Sequence, residues 1–269
     1  MTSNATFRDR FLSAILRAQA PVCVGLDPDP TKIPPGLGSG AMAAGRFLTA
    51  IIEATRELVA AFKPNTAYFE AYGHEGWAQL ERLRDVAGPD VLWIVDAKRG
   101  DIEHTNEAYA HALFDILKAD AITAQPYAGG AALEPFYRDP KRGVFVLCAT
   151  SNAGAESVQE FGALDHPLYL NIAKQARAWS PHDNIGLVVG TTKPDALENV
   201  LRVARNLPLL LPGGGTQGGG TLRVRELLRE HKAFGGLFNF SRSVLYKSSG
   251  DDFAQAAREE VLQIRAALQ

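Results

Sequence analysis

A short stretch near residue 100 places two carboxylates and one amine soon after an apolar segment. The run 91–95, Val-Leu-Trp-Ile-Val, has the composition of a strand buried on both faces of a parallel sheet. Asp96 and Lys98 come next and, because side chains alternate along a strand, they share one face. Asp101 follows just after a glycine. Parallel sheets and barrels carry their chemistry at the carboxyl ends of strands, so the stretch predicts a catalytic group of two acids and one amine. A solvated charge cluster at a strand end fits the same spacing.

A glycine-rich segment late in the chain has the composition of a phosphate-binding loop. Residues 212–220 read Pro-Gly-Gly-Gly-Thr-Gln-Gly-Gly-Gly, and the six glycines let the backbone approach a ligand closely. A helix is predicted to begin at the end of this loop, and the N–H groups at a helix N-terminus suit an anion. Arg242, after the next predicted strand, offers a guanidinium to the same phosphate. The pattern predicts a phosphate site, and a flexible lid without a ligand is the alternative.

These residues are positioned by strands and helices that alternate along the whole chain. Eight apolar runs are predicted as strands, namely residues 22–26, 60–62, 91–95, 120–124, 144–148, 185–189, 209–211 and 236–240. Apolar periodicity predicts helices at residues 7–16, 47–59, 77–83, 103–117, 131–137, 168–179, 222–228 and 252–268. A further helix is predicted to begin at Pro194. Such alternation requires a parallel sheet with helical crossovers, and eight strands favour an α/β fold of the (β/α)8 TIM-barrel type over a doubly wound sheet. Residues 1–269 are predicted to form a single domain.

In a barrel all strand ends face one rim, so polar residues far apart in the sequence are predicted to converge there. The residues that follow the predicted strands include Asp27, Lys63, Asp96, Lys98, Thr150, Ser151, Ser241 and Arg242. Each of them alone is compatible with a turn or an exposed strand end. Together they predict one active-site mouth.

Composition argues against several other classes of function. The chain has 269 residues, with 28 Lys and Arg against 30 Asp and Glu, a balance that predicts neither nucleic acid nor an anionic membrane as a partner. No apolar run approaches the ~20 residues that span a membrane, and the charged, amphipathic N-terminus is unlike a signal peptide. Cys23 and Cys148 lie in apolar runs and are predicted to be buried, reduced thiols, so the cytoplasm is the expected compartment. No cysteine or histidine spacing suggests a metal site.

The polar strand ends also carry the motifs of a known family. Residues 96–102, Asp-Ala-Lys-Arg-Gly-Asp-Ile, with Thr105 beyond them, match its central D-x-K-x-x-D-I motif. Further matches are Gly-Leu-Asp at 25–27, Lys-Pro-Asn at 63–65, Gln-Pro-Tyr at 125–127, Thr-Ser-Asn-Ala-Gly at 150–154, the loop at 212–219 and Ser-Arg-Ser at 241–243. Over nearly its whole length the chain resembles the orotidine 5′-monophosphate decarboxylases, above all their longer bacterial branch. It departs from many members at Ala153, where they have proline, and at Ser241, where they have glycine.

The resemblance implies decarboxylation of orotidine 5′-monophosphate to UMP and CO₂, the last step of de novo pyrimidine nucleotide synthesis. Lys98 would deliver a proton to C6 of the pyrimidine, and Asp96 would lie beside the substrate carboxylate. Asp101 would stand between Lys63 and Lys98, and this alternation of charge would keep both lysines protonated. Asp101 and Thr105 would also reach the ribose of the neighbouring subunit's substrate, which implies a homodimer. The implied binding residues are Asp27 and Lys63 for the ribose, Ser151 for the pyrimidine edge, and Pro212, Gln217, Gly218, Gly219 and Arg242 for the rest of the substrate, with Gln217 and Arg242 at its phosphate.

The resemblance further implies that the reaction needs neither a metal nor an organic cofactor, since a fixed ammonium can stabilise the carbanion left at C6. Two alternatives fit parts of the pattern. Mg²⁺-dependent sugar-phosphate decarboxylases and aldol-type synthases of the same superfamily carry a similar D-x-K-x-x-D motif, but they are expected to have an acid where this chain has Lys63. A non-catalytic nucleotide-binding barrel would tolerate loss of the charges of Asp96, Lys98 and Asp101, all of which are present here.

Overall fold

Parallel strands close into a barrel in the computed structural model, which describes residues 5–163, 165–213 and 219–269. The barrel strands are β1 (Val22–Leu26), β2 (Ala61–Pro64), β3 (Leu92–Arg99), β4 (Ala121–Ala124), β5 (Gly143–Ala149), β8 (Ile185–Val189), β9 (Leu209–Pro212) and β10 (Gly236–Phe240). The remaining two, β6 (Gly162–Ala163) and β7 (His166–Pro167), form a small antiparallel hairpin. Around the barrel the order is β1-β10-β9-β8-β5-β4-β3-β2, and β2 pairs with β1. The predicted (β/α)8 TIM barrel is confirmed.

Helices connect these strands. They are α1 (Phe7–Ala18), α2 (Gly40–Thr55), α3 (Thr66–Glu70), α4 (Gly73–Ala87), α5 (Glu103–Ala110), α6 (Gly130–Tyr137), α7 (Glu156–Gln159), α8 (Leu168–Trp179), α9 (Pro194–Ala204), α10 (Gly219–Glu230), α11 (Arg242–Leu245) and α12 (Phe253–Leu268). A π-helical segment, His111–Ile116, continues α5, and a 3-10 turn, Pro35–Leu37, lies in the loop after β1. Within the described ranges no helix is both long enough and apolar enough to cross a membrane.

Predicted and observed boundaries agree where the apolar pattern is strong. β8, β10 and α8 match residue for residue, and Pro194 is the first residue of α9, where its fixed φ suits a helix start. By contrast α2 begins at Gly40, well before the predicted start at residue 47. The prediction missed its first turns because they consist mostly of small residues, Gly-Ala-Met-Ala-Ala-Gly, with little apolar periodicity. The short α3 and the β6–β7 hairpin contain too few residues to show a period. β3 continues to Arg99, beyond its predicted end at residue 95.

The amino-terminal helix closes one end of the barrel. Phe11 of α1 is fully buried, and its ring centroid lies 6.3 Å from that of Phe145 on β5. Arg10 of the same helix pairs with Asp120, a largely buried carboxylate just before β4. Side chains thus fill the amino end of the barrel, and the carboxyl ends of the strands are left to build a site.

Candidate active site

Three charged side chains meet at the carboxyl ends of β2 and β3. Lys63, on β2, donates a hydrogen bond from Nζ to Oδ2 of Asp96 on β3 at 2.8 Å. Lys98 donates a hydrogen bond from Nζ to the other carboxylate oxygen, Oδ1 of Asp96, at 2.6 Å. Lys63 and Asp96 are 4% and 8% exposed, whereas 42% of the Lys98 side chain is exposed. This charged trio of Lys63, Asp96 and Lys98 therefore contains one buried amine and one amine that a ligand can reach.

Asp101 does not occupy the place expected from the family resemblance. It is exposed, and its Oδ1 accepts a hydrogen bond from the backbone N–H of Ile102 at 2.7 Å rather than from a lysine. Asp96, not Asp101, stands between Lys63 and Lys98, so the expected order of charges is wrong for this chain. Pairing of β2 with β3 brings the ends of those two strands together, whereas Asp101 lies beyond the last residue of β3.

A bulge in β3 gives Lys98 its position. The register between β3 and β4 shifts between Val95 and Arg99, and Lys98 within the shifted segment has a φ of +47°. This left-handed conformation is uncommon for residues other than glycine and is found where the surrounding structure enforces it. The Oγ1 atom of Thr123 on β4 accepts the Lys98 N–H at 2.9 Å and donates to Asp96 Oδ1 at 2.8 Å. One hydroxyl therefore fixes both the backbone that carries Lys98 and the carboxylate that pairs with it.

Asp96 and Lys63 keep their charges across the physiological pH range. Burial alone would raise the pKa of Asp96, but the positive charges of Lys63 and Lys98, with their hydrogen bonds, hold that pKa well below its usual value. Burial alone would lower the pKa of Lys63, but the negative charges of Asp96 and Asp27 raise that pKa above its usual value. A carboxylate flanked by two ammonium groups leaves the trio positively charged, which suits an anionic ligand.

The ends of β1, β9 and β10 bring further predicted residues to the same rim. Asp27 directly follows β1, and its Oδ1 is buried with no hydrogen-bond partner among the described residues. Arg242 is the exposed first residue of α11, directly after β10 and Ser241. Since β1 pairs with β10, Asp27 and Arg242 stand at neighbouring strand ends. Pro212 ends β9, and Gly219 begins α10. Two further predicted residues, Gln217 and Gly218, lie outside the described residues.

Ser151 lies in the loop after β5, close to the residue that follows Pro212: a Cβ at Gly213 would lie 3.7 Å from Ser151 Oγ. Gln159 of α7 fastens the start of this loop, because its side chain accepts the Thr150 N–H and donates to Thr150 Oγ1, both at 2.8 Å. Gly190, after β8, makes room for the serine: a Cβ at residue 190 would lie 2.9 Å from the Ser151 Cβ. The structure thus places Ser151 at the mouth of the barrel, as the strand pattern predicts.

Asp101 and Thr105 lie together at the start of α5. Asn106, which is fully buried, holds the backbone of Asp101: its Oδ1 accepts the Asp101 N–H at 3.1 Å, and its Nδ2 donates to the Asp101 carbonyl at 2.8 Å. Neighbouring Ile102 is an apolar side chain with 57% exposure. Within the described part of the chain, neither Asp101 nor Thr105 forms a side-chain hydrogen bond or ion pair with the trio. Their side chains remain available at the surface.

A cavity of about 930 Å³ begins at the trio and extends towards α8. Thr123 and Ser151 contribute to its wall, as does Pro212. Lining residues that the sequence analysis did not single out include Thr123, Gln159, Asn171, Gln175 and Trp179. A polar residue inside the apolar run 121–124 was the available signal for Thr123. The α8 residues read from sequence as one face of an ordinary amphipathic helix, which carries no such signal.

The described residues contain no cluster of three or more His, Cys, Asp and Glu side chains that could hold a metal ion. Cys23 and Cys148 are buried and free, and burial raises the pKa of each thiol to about 12. They are therefore thiols rather than thiolates at neutral pH, as their place in apolar strands predicts.

Comparison with known proteins gives one consistent result. A family model described as "Orotidine 5'-phosphate decarboxylase / HUMPS family" matches residues 20–259. The orotidine 5′-phosphate decarboxylase of Roseiflexus sp. (strain RS-1) is 47% identical over 269 residues, covering 98% of this chain and 97% of that protein. The protein of the same name from Thermomicrobium roseum is 42% identical over 263 residues, covering 97% and 94%.

The same likeness appears among solved structures. The OMP decarboxylase of Leishmania donovani superposes with a TM-score of 0.80 at 37% sequence identity, covering 97% of this chain and 99% of that one. The matches extend over the whole barrel and so include every strand end that contributes to the rim.

Proposed function

This chain belongs to the orotidine 5′-phosphate decarboxylase family, and we propose that it converts orotidine 5′-monophosphate into UMP and CO₂. This reaction is the last step of de novo pyrimidine nucleotide synthesis. One observation carries the proposal: the Asp96 carboxylate is held between the ammonium groups of Lys63 and Lys98 at the open end of the barrel.

Lys98 is proposed as the proton donor. Breaking the bond between C6 and the carboxylate releases CO₂ and leaves an electron pair on C6 with little resonance stabilisation. A fixed ammonium beside C6 stabilises that charge and then transfers a proton to it, so that a C6–H bond forms and a neutral amine remains. Asp96 orients Lys98 through the 2.6 Å hydrogen bond, and Lys63 holds Asp96 in turn. Asp96 is proposed to lie beside the substrate carboxylate.

The other rim residues are proposed to bind the substrate. The unpartnered Oδ1 of Asp27 and the amine of Lys63 suit the ribose hydroxyls. Ser151, on the wall of the cavity, suits the pyrimidine edge, and Arg242 suits the phosphate, since a guanidinium binds phosphate oxygens in pairs. Pro212, Gln217, Gly218 and Gly219, from the glycine-rich loop, are proposed to complete the nucleotide site, with Gln217 at the phosphate.

A homodimer is proposed as the active form, with Asp101 and Thr105 contributed to the ribose site of the partner. Two observations support this. Neither side chain bonds to the trio within the described part of its own chain, and the apolar side chains of Ile102 and Tyr127 nearby are 57% and 99% exposed. The cytoplasm is the proposed location, which fits two free cysteines in a metabolic enzyme.

The proposed reaction uses no metal and no organic cofactor. The Mg²⁺-dependent alternative within the superfamily needs a carboxylate free to bind the cation. In this chain a lysine stands at the end of β2, and both oxygens of Asp96 accept hydrogen bonds from ammonium groups. That arrangement favours a fixed positive charge on protein over a bound cation. The presence of Asp96, Lys98 and Asp101 together argues against a barrel that only binds nucleotides, because such a barrel would tolerate their loss.

The proposal is tested by following orotidine monophosphate spectrophotometrically with the purified protein in excess EDTA. We expect stoichiometric UMP at the same rate with EDTA, with added Mg²⁺ and with neither. A rate that collapses in EDTA and returns with Mg²⁺ would point instead to the metal-dependent enzymes. UMP that binds without any turnover of orotidine monophosphate would point to the non-catalytic barrel.

A further inference from the structure

A tyrosine outside the charged trio connects the two elements that carry Asp27 and Arg242. We propose that Tyr246 is a positioning residue: its hydroxyl ties the loop after β1 to helix α11 and so holds Asp27 in register with Arg242. The inference rests on the proposed function, because it concerns how the ribose and phosphate of one nucleotide are bound together.

The tie consists of two hydrogen bonds to one hydroxyl. Tyr246 Oη donates to the carbonyl of Asp27 at 3.0 Å and accepts the N–H of Asp29 at 2.5 Å. At the other end, the Tyr246 N–H donates to the carbonyl of Arg242 at 3.2 Å, which places both residues in one helical turn. The loop is therefore fastened on either side of Pro28 to the turn that begins with Arg242.

The tyrosine ring is itself held in place. It stacks on Phe47 of α2 with 5.9 Å between ring centroids and 6° between the planes, and Phe47 is fully buried. The Lys32 Nζ lies 5.2 Å from the ring centroid of Tyr246, within the range of a cation–π contact. Burial raises the pKa of Tyr246 to about 12, so the phenol keeps the proton that it donates to Asp27.

What the tie positions is the carboxylate of Asp27. Its Oδ1 is buried and makes no hydrogen bond among the described residues, so no side-chain hydrogen bond fixes that oxygen. The backbone of Asp27 must then determine where that oxygen lies, and Tyr246 holds this backbone. Without the hydroxyl, a bound nucleotide would have to order the loop itself, and that cost would appear as lower affinity.

The test compares Tyr246→Phe with Tyr72→Phe. Both changes remove one phenol hydroxyl, but Tyr72 Oη is buried with no partner among the described residues, so its loss disturbs no tie. For Tyr246→Phe we expect the Kd for UMP and the KM for orotidine monophosphate to rise about fivefold to tenfold, the loss of roughly one net hydrogen bond. We expect kcat to change less than about twofold, because the ground state and the transition state use the same ribose contact.

A double-mutant cycle separates positioning from a general loss of packing. In an Asp27→Ala background, Tyr246→Phe is expected to change the Kd for UMP less than about twofold, because the carboxylate that it positions is gone. Equal effects in both backgrounds, or no effect of Tyr246→Phe on the Kd in wild type, would overturn the inference. Failure of the proposed function is distinguishable, since it would appear as wild-type protein that binds UMP without turning over orotidine monophosphate.

Discussion

A buried ammonium is costly unless its charge is compensated, and Lys63 meets that condition through Asp96. Removing a charge from water costs several kcal/mol, which a well-placed partner can repay. The Lys63 Nζ lies 2.8 Å from one carboxylate oxygen, while Lys98 takes the other. Lys63, the buried amine of the trio, thus helps to hold Asp96 in place. Lys98, the exposed amine, can be reached by a ligand.

Removing only one partner of this pair should destabilise the protein strongly. Lys63→Met keeps the length of the side chain but leaves Asp96 buried with Lys98 alone. We expect the free energy of unfolding to fall by about 3–5 kcal/mol in urea denaturation. The matched control is Arg202→Met, which breaks the exposed i,i+4 pair with Glu198 and should cost less than about 1 kcal/mol. Equal losses in the two variants would show that the buried pair contributes no more than a surface pair.

The same pair makes stability depend on pH at both ends of the scale. The folded-state pKa of Asp96 is lowered, so its contribution is present above the unfolded-state value of about 3.9 and is lost as pH falls below it. The folded-state pKa of Lys63 is raised, so its contribution is present below about 10.4 and is lost as pH rises past it. Urea denaturation across this range should show both slopes in wild type and weaker slopes in Lys63→Met. Unchanged slopes in the variant would contradict the assignment.

At the scale of single residues, much of the candidate site could be predicted from the sequence. Asp96 and Lys98 were predicted to share one face because they are two residues apart at a strand end, and they do meet. That Asp96 rather than Asp101 pairs with Lys63 could not be obtained in this way, because it depends on the pairing of β2 with β3 and on where β3 ends. Thr123 was equally hidden, since a threonine in a strand is ordinary until its neighbours are known.

The element that matters most to the chemistry is the irregular end of β3. A regular strand would continue its pairing with β4, but the register shift places Lys98 in the left-handed region at φ +47°. The apolar pattern of a sequence does not indicate such a bulge. For that reason β3 was predicted to end at residue 95, where the apolar run stops. The regular parts of β8 and α8, by contrast, were predicted correctly because burial alone determines their pattern.

Thr123 is predicted to keep that bulge in its active conformation. Thr123→Val preserves the shape of the side chain but removes the acceptor for the Lys98 N–H and the donor to Asp96. We expect kcat/KM for orotidine monophosphate to fall about tenfold or more, and stability to fall by about 1–3 kcal/mol, because two polar groups lose their partner. Thr55→Val is a suitable control, since among the described residues that buried hydroxyl bonds only within its own helix, to the Ile51 carbonyl. Full activity in Thr123→Val would mean that the strand holds Lys98 without help.

At the scale of the whole molecule, the two ends of the barrel differ in the side chains that fill them. Its amino end is filled by α1 and the ring of Phe145, whereas charged and polar side chains occupy the carboxyl end. Alternating strands and helices were enough to predict the barrel and the polar residues at its carboxyl rim, but not the place of α1 at the amino end. Contacts between two copies of the chain lie beyond what one sequence pattern specifies, because the pattern does not say whether an exposed apolar residue such as Ile102 is covered by a second copy.

The proposed homodimer predicts complementation between inactive variants. Asp101→Ala removes the group given to the partner, and Lys98→Ala removes the proton donor. After subunit exchange, a mixed dimer contains one site with both Lys98 and Asp101, so up to about a quarter of wild-type activity should return if exchange is random and each site acts independently. Each variant incubated alone is the control. Absence of recovered activity, with exchange verified by mass spectrometry, would contradict a shared site.

The most direct test of the central claim is the behaviour of Lys98→Ala. If Lys98 donates the proton to C6, decarboxylation of orotidine monophosphate should fall by about 10³-fold or more, the scale of a lost general acid and fixed charge. The Kd for UMP, measured by calorimetry, should stay within about threefold of wild type, because the rim residues that bind ribose, base and phosphate are untouched. Turnover near the wild-type rate in a variant that binds UMP normally would contradict the account.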